Sequence, residues 1–147
     1  MRSNQKTIVG RRIEKIFVDT KQQHYLRFVT DSGNCDYRAD GDCCSESYFS
    51  DVNRIKNIIG KIIIDVKAVE LAQTQIPHIE SRQDEDIIYG FRIVSKDGMA
   101  LVIMRNSSNG YYGGTVERID SIPDNVELFE IKKDFCSLDL TRNNEDI

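Results

Sequence analysis

The sequence predicts an α+β fold, with one antiparallel sheet of about six strands and one main helix near residues 46–59. Three observations lead to this prediction. The chain repeats part of itself, each repeat alternates apolar and polar residues as strands do, and one segment carries apolar residues at helical spacing. With 147 residues, the chain is long enough for one domain with a hydrophobic core.

The repeat is visible as two pairs of matching segments. IVGRRIEKI (8–16) matches IIGKIIIDV (58–66) 50 residues later, and LRFVTDSG (26–33) matches FRIVSKDG (91–98) 65 residues later. Each copy has the pattern of a strand followed by a hairpin that turns at a glycine. The sheet is therefore predicted to consist of two duplicated β units.

The repeat also sets the expected domain organisation. We expect a single domain over residues 1–120, whose duplicated units are 8–41 and 58–106. Residues 121–147 form a C-terminal extension, and its polar end, TRNNEDI, is expected to be disordered.

The second copy has an apolar face that the first copy lacks. Leu101 and Ile103, in the strand MALVIM, stand where the first copy has Asp36 and Arg38. A strand that is apolar on both faces must be covered on both. Either the helix or a second subunit supplies the cover, and we expect a homo-oligomer.

The helix prediction depends on spacing. Apolar residues recur at intervals of four, three and four, which is the stripe of an amphipathic helix: Tyr48, Val52, Ile55 and Ile59. Ser45 is the expected N-cap and Gly60 the expected C′ residue. Residues 71–86 are predicted to form an exposed polar loop and 115–119 a further strand.

Composition excludes several classes of protein. The net charge is −4, which argues against general nucleic-acid binding through a phosphate-neutralising surface. No apolar run has the roughly 20 residues that a membrane helix needs, and the first residues lack the apolar stretch of a signal peptide. We therefore expect a cytoplasmic protein without a membrane partner.

The four cysteines do not have metal-binding spacing. Cys43 and Cys44 are adjacent, no C-x-x-C occurs, and the two histidines, His24 and His78, are far apart in sequence. We predict no metal, no cofactor and no catalytic residue. A thiol at a helix N-terminus would have a lowered pKa, so a reactive Cys44 remains an alternative to simple packing.

Aligning the two copies places two polar segments at equivalent positions. GDCCSE (41–46) and NSSNGY (106–111) both follow the second strand of a hairpin. Such loops at strand ends commonly form ligand pockets, although tight turns and helix capping also explain these residue types. The candidate ligand-binding residues are Asp42, Cys44, Ser45, Glu46, Ser47, Arg105, Asn106, Ser107, Ser108, Asn109, Tyr111 and Tyr112.

The same two segments carry a family resemblance. GDCCSESYF followed by RNSSNGYYGG resembles an uncharacterised domain family of bacteriophage and bacterial genomes, marked by G-D-C-C-S-E-[ST]-[WY] and N-[SG]-S-N-G-Y-Y-G-G. The resemblance covers residues 8 to about 118, with Tyr48 where tryptophan is commoner. It implies a phage-type protein, expected in the host cytoplasm if phage-encoded, and brings no activity with it.

Three functions follow from these features. The first is a phage-type binding protein, acting in counter-defence, that sequesters an anionic nucleotide-derived small molecule. Arg105, the glycine amides and the helix N-terminus at Ser45–Ser47 would hold the phosphate, and Tyr111 or Tyr112 would stack on the base. The second is an inhibitor that contacts a host protein. The third is a small thiol- or carboxylate-dependent enzyme that uses Asp42, Cys44 or Glu46.

Overall fold

A computed structural model describes residues 7–41, 45–71, 82–83, 85–108 and 114–140 of the chain. These residues form two antiparallel sheets of five strands each. The strands are β1 (Ile13–Asp19), β2 (Tyr25–Thr30), β3 (Gly33–Gly41), β4 (Glu46–Asn53), β5 (Ile63–Glu70), β6 (Glu85–Ser95), β7 (Gly98–Ser108), β8 (Gly114–Ile119), β9 (Leu128–Glu130) and β10 (Phe135–Cys136).

The two halves of the chain exchange one strand each. The first sheet has the order β8-β3-β2-β1-β9 and the second the order β10-β4-β7-β6-β5. Strands β1–β3 and β5–β7 are therefore three-stranded meanders in different sheets. The strand that follows each meander crosses to the other sheet, so that β4 pairs with β7 and β8 pairs with β3.

The two meanders pair in the same register. The hairpin pairs Thr30–Gly33 and Ser95–Gly98 are 65 residues apart, and bulges follow Ile13 in β1 and Ile63 in β5, 50 residues apart. These are the two offsets of the sequence repeat. The common register supports internal duplication, which remains our proposal for the origin of the two units.

One hydrophobic core lies between the two sheets. The first sheet contributes side chains such as Ile16 and Phe28, and the second contributes Phe49, Val102 and Met104. Because both sheets bury alternate side chains, burial along β2 follows the two-residue period of a strand. No helix among the described residues is long and apolar enough to cross a membrane.

The predicted α+β class is wrong, because the described residues are nearly all β structure. The segment expected to be the main helix forms strand β4 over Glu46–Asn53, followed by a short 3-10 turn over Ile55–Asn57. Strand β4 lies between β10 and β7, and its residues 47–52 are buried. The predicted single sheet of six strands is replaced by two sheets of five.

A β-bulge breaks the two-residue period of this strand, and the predicted helical stripe is not one face of it: Tyr48 stacks with Arg82, whereas Val52 belongs to the core. Phe49 pairs with Met104 and Asp51 with Ile103, so Ser50 has no partner residue of its own. The extra residue shifts the alternation by one, so that Phe49 and Val52 both belong to the core although they are three residues apart. A spacing of three therefore arises here without a helix.

Other expectations have mixed outcomes. The predicted strand over 115–119 lies in β8, and β7 is buried on both faces as the doubly apolar MALVIM pattern predicted. Strand β6 begins at Glu85, inside the predicted loop over 71–86, most of which lies outside the described residues.

Ile103 is fully buried within one chain, so it supplies no argument for a second subunit.

The C-terminal extension belongs to both sheets. Strand β9 pairs with β1, and β10 pairs with β4. Ile131, Phe135 and Leu140 are buried in the common core. The extension therefore packs as part of the domain, whereas its last residues, 141–147, lie outside the described range.

Candidate functional site

The two predicted ligand-binding segments adjoin each other where the chain crosses between sheets. Glu46 pairs with Ser107 and Ser47 with Asn106 at one end of β4 and β7. At the neighbouring end of the first sheet, Gly41 pairs with Gly114. We call this region the strand-end site.

Part of the predicted residue set cannot be placed. The following candidate residues lie outside the described residues: Asp42, Cys44, Asn109, Tyr111 and Tyr112. The same holds for Cys43, the neighbour of Cys44. The geometry of the strand-end site therefore depends on the strands that flank these segments.

Three buried or half-buried polar side chains form a hydrogen-bonded triad at the strand-end site. The Ser47 hydroxyl donates to Asn106 Oδ1 at 2.6 Å and lies 3.3 Å from the Tyr89 hydroxyl. Because the single Ser47 proton is used toward Asn106, Tyr89 must donate to Ser47. A side chain at Gly114 would enter this triad, since a Cβ atom there would lie 2.6 Å from Asn106 Oδ1 and 2.8 Å from the Tyr89 hydroxyl. Glycine lets β8 approach the triad closely.

Arg82 is the main cation of the site. Its guanidinium carbon lies 3.5 Å from the centroid of the Tyr48 ring, a cation–π contact. Nη1 donates to Glu46 Oε1 at 2.5 Å and Nη2 to Gln23 Oε1 at 2.8 Å. The Arg82 backbone N–H donates to Ser107 Oγ at 3.2 Å. These contacts join the segment at residue 82 to three strands or turns.

Glu46 also faces a histidine. His24 Nε2 lies 3.7 Å from Glu46 Oε1, and both side chains are about one third exposed. The carboxylate is thus shared by an arginine and a histidine. The exposed face of the site offers an acceptor, a cation and an imidazole together, next to the ring of Tyr48.

Arg105 lies beneath the site and not on its surface. It pairs with Tyr48 in the strand register and is only 3% exposed. Asp51 is buried nearby, and burial raises its pKa, an effect that a hydrogen bond from Ser50 and the Arg105 charge oppose. A buried cation near a buried carboxyl group is suited to supporting the sheet.

Two parts of the predicted anion site are wrong. Ser45–Ser47 do not begin a helix, because β4 starts at Glu46, so no helix dipole is available there. The residues predicted to lie in or next to a polar loop after the strand instead form the end of β7 and are buried: Arg105, Asn106, Ser107 and Ser108. A polar sequence in this position belongs to a buried hydrogen-bonded strand end.

Sequence reasoning missed several contributors to the site. Arg82 stands in the segment taken as an exposed loop, and Gln23 and Tyr89 lie in the hairpin units without a motif around them. No local pattern indicates that Arg82 stacks on a ring 34 positions earlier. The Gly-Gly pair that ends the second family motif, 113–114, was the one available signal, since glycine often marks close approach.

No metal centre is apparent in the part of the chain that the structure describes, where no three His, Cys, Asp or Glu side chains are grouped to hold an ion. Cys43 and Cys44 are not part of that search. The absence of structural zinc remains a prediction.

Comparisons with known proteins relate the chain to proteins whose function is not characterised. The uncharacterized protein L278 of Acanthamoeba polyphaga mimivirus is 36% identical over 85 residues, which are 54% of this chain and 63% of that protein. The chain thus spans less than two thirds of this viral relative. No solved structure matches the chain. Residues 6–118 match the family described as Domain of unknown function (DUF7448), and the chain belongs to that family.

Proposed function

We propose that this protein is a small viral-type binding protein that sequesters a nucleotide-derived molecule at the strand-end site. The observation that carries the proposal is the Arg82 guanidinium stacked on Tyr48 and paired with Glu46, beside the junction of β4 and β7. The relative in a giant virus supports a viral setting. The counter-defence role of such sequestration is part of the proposal.

The mixed charge of the site favours a nucleotide over a simple anion. Glu46 offsets much of the Arg82 charge, so an inorganic anion would gain little there. A nucleotide carries hydroxyl and amine donors as well as phosphate. Its donors suit the Glu46 carboxylate and its phosphate suits Arg82 and His24, whereas the Tyr48 ring is buried beneath the Arg82 guanidinium and orients it.

In this proposal the cation that contacts the ligand is Arg82, whereas the sequence had predicted Arg105. Arg105 is buried, whereas the Arg82 side chain is 29% exposed and points its guanidinium into the cluster. Asn106, Ser107 and the rest of the strand end would position the exposed groups from beneath. The unplaced residues of the two motifs would complete the pocket.

The test is calorimetric titration with a panel of cyclic and ADP-ribose-type nucleotides. Losing a charge-assisted contact costs roughly 1.5–3 kcal/mol of binding free energy, so Arg82→Ala should weaken binding about ten- to a hundredfold. Arg92→Ala, an exposed arginine on β6 away from the site, is the matched control and should leave affinity unchanged. Absence of binding to every panel member, or equal losses in both variants, would refute the proposal.

A second candidate function is inhibition by protein contact, and strand β5 favours it. Strand β5 is an edge of the second sheet, and Ile62 and Ile64 are 51% and 58% exposed. The Ile63 backbone already hydrogen-bonds Gly10 and Arg11, so a partner would contact the exposed apolar side chains and would not add a strand at this point. If no nucleotide binds and Ile64→Lys removes the biological effect while Arg82→Ala does not, this second function replaces the first.

A further inference from the structure

Four cations line one open cavity at the other end of β4. The cavity has a volume of about 850 Å³, and its charged residues are Arg54, Lys56, Lys132, Lys133 and Asp134. The four cations are all exposed. With a single carboxylate among four cations, the lining of this cavity is positively charged, although the whole chain has a net charge of −4.

No direct salt bridge offsets these cations among the described residues, although Glu130 and Asp139 line an adjoining cavity with Lys132 and Lys133. By contrast, salt bridges are formed by Lys61, Arg27, Arg38 and Arg82. Like charges that share a cavity repel one another, and no fold-stabilising contact explains why they are gathered here. An anionic ligand would relieve that repulsion.

The segments that carry the cations are fixed to the sheets. The Asp134 carboxylate accepts a hydrogen bond from the Ile55 backbone N–H at 3.0 Å, which joins the two sides of the cavity. Asn57 Nδ2 donates to the Met99 carbonyl at 2.8 Å. The Asp134 carboxylate thus helps to hold the two sides of the cavity together.

Arg54 has an unusual backbone conformation. Its φ of 59° and ψ of 39° lie in the left-handed region, which costs a non-glycine residue roughly 1–2 kcal/mol. Glycine would suit this position better than arginine for folding alone. Arginine thus stands where the backbone favours glycine, and a ligand in this cavity would give its side chain a role.

We propose that this cavity binds a small ligand with two or more linked phosphate groups. A volume of about 850 Å³ is in the range of small-molecule sites, and several lysines and arginines around one cavity match the several charges of a linked phosphate chain. The net charge of the protein disfavours a nucleic-acid backbone, which needs an extended basic surface.

The cavity is separate from the strand-end site. The two lie at opposite ends of the eight-residue strand β4, roughly 23 Å apart at the rise of an extended chain. Lys132 and Lys133 also stand outside the residues that match the family, 6–118. The extension thus adds two of the four cations to the family domain, and the proposal does not depend on the function proposed above.

Titration with tripolyphosphate, orthophosphate and a short single-stranded oligonucleotide tests the proposal. We expect tripolyphosphate to bind at least about tenfold more tightly than orthophosphate, and more weakly as salt is added. Lys132→Gln and Lys133→Gln should each weaken tripolyphosphate binding about five- to tenfold. Arg54→Gly should weaken it similarly while the melting temperature is unchanged or higher, because glycine relieves the backbone strain.

Lys67→Gln is the control, since Lys67 is an exposed lysine of β5 that does not line the cavity. Its tripolyphosphate affinity should equal that of the unmodified protein. No tripolyphosphate binding, binding that all three cavity variants leave unchanged, or tighter binding of the oligonucleotide with the same dependence on Lys132 and Lys133 would each overturn the proposal. The last outcome would identify a nucleic-acid surface.

Discussion

Asp51 and Arg105 place two ionisable side chains out of contact with solvent on the second sheet. Asp51 pairs with Cys136 of β10 on one side and with Ile103 of β7 on the other, and its Oδ1 has no hydrogen-bond partner within the described residues. Burial raises the pKa of Asp51. Removing a carboxylate from water disfavours its charged form, so at neutral pH this residue weakens the fold unless Arg105 compensates fully.

Asp51→Asn is expected to change how stability depends on pH. Because the pKa of Asp51 is raised on folding, the folded chain binds this proton more tightly than the unfolded chain. The unmodified protein therefore loses stability as pH rises from the unfolded value of about 3.9 through the raised folded value, and the variant does not. In urea unfolding from about pH 4 to about pH 8, the stability of the variant relative to the unmodified protein should rise with pH.

Asp120→Asn, which changes an exposed carboxylate, is the matched control. A relative stability of Asp51→Asn that instead falls as pH rises would contradict the expectation. That result would mean that the Arg105 charge stabilises the ionised form of Asp51 more than burial disfavours it.

Single residues were predictable where the backbone itself dictates the residue type. Gly33 and Gly98, the predicted hairpin glycines, have positive φ, and so does Gly60, which was predicted to end a helix that does not form. Arg82 was not predictable, because its partners are distant in sequence and its contacts depend on the crossing of two strands. Local conformation leaves a signal in the sequence, whereas long-range polar contacts do not.

Among the elements, the meanders were predictable and β4 was not. Alternation and turn glycines mark β2–β3 and β6–β7 directly. Strand β4 is buried on both faces and contains a bulge, so it has neither a polar face nor a regular two-residue period. Its apolar residues then follow the spacing of a helix, and only pairing with β7 and β10 selects the strand.

Strand β10 offers a test of the C-terminal extension as part of the fold. Phe135 is 4% exposed and belongs to the common core, whereas Phe129 in β9 is 39% exposed. Phe135→Ala should lower the free energy of unfolding by about 3–5 kcal/mol, as for other buried phenylalanines. Phe129→Ala is the control, and denaturant unfolding should give it a clearly smaller loss. Equal effects would mean that the extension packs only loosely on the sheets.

For the whole molecule, the exchange of β4 and β8 makes each sheet depend on both halves of the chain. Each three-stranded meander pairs with a strand from the other half of the chain, and the hydrophobic core lies between the two sheets. The sequence predicted two similar units but not their exchange, because alternation says which face of a strand is buried and not which strand lies beside it. The prediction of a homo-oligomer rested on Leu101 and Ile103, and the latter is covered within one chain.

Ile103→Asp tests whether this face of β7 is covered within one chain or by a second subunit. Because Ile103 is fully buried in one chain, an aspartate there should unfold the protein, as judged by circular dichroism. Ile64→Asp, at a position 58% exposed, is the control and should leave a folded protein. If Ile103→Asp instead gives a folded chain of lower mass in analytical ultracentrifugation, this face is a subunit interface and the proposed homo-oligomer is supported.

The strand exchange also constrains how the protein is made on the ribosome. When the first meander leaves the exit tunnel, both of its edge strands lack partners. Strand β3 pairs only after Gly114–Ile119 has been synthesised, and β1 pairs with β9 only after Leu128–Glu130 has been synthesised. Contacts between such distant parts of a chain form slowly. The nascent first half therefore spends most of translation with open edges, and nearly the whole chain must emerge before either sheet is complete.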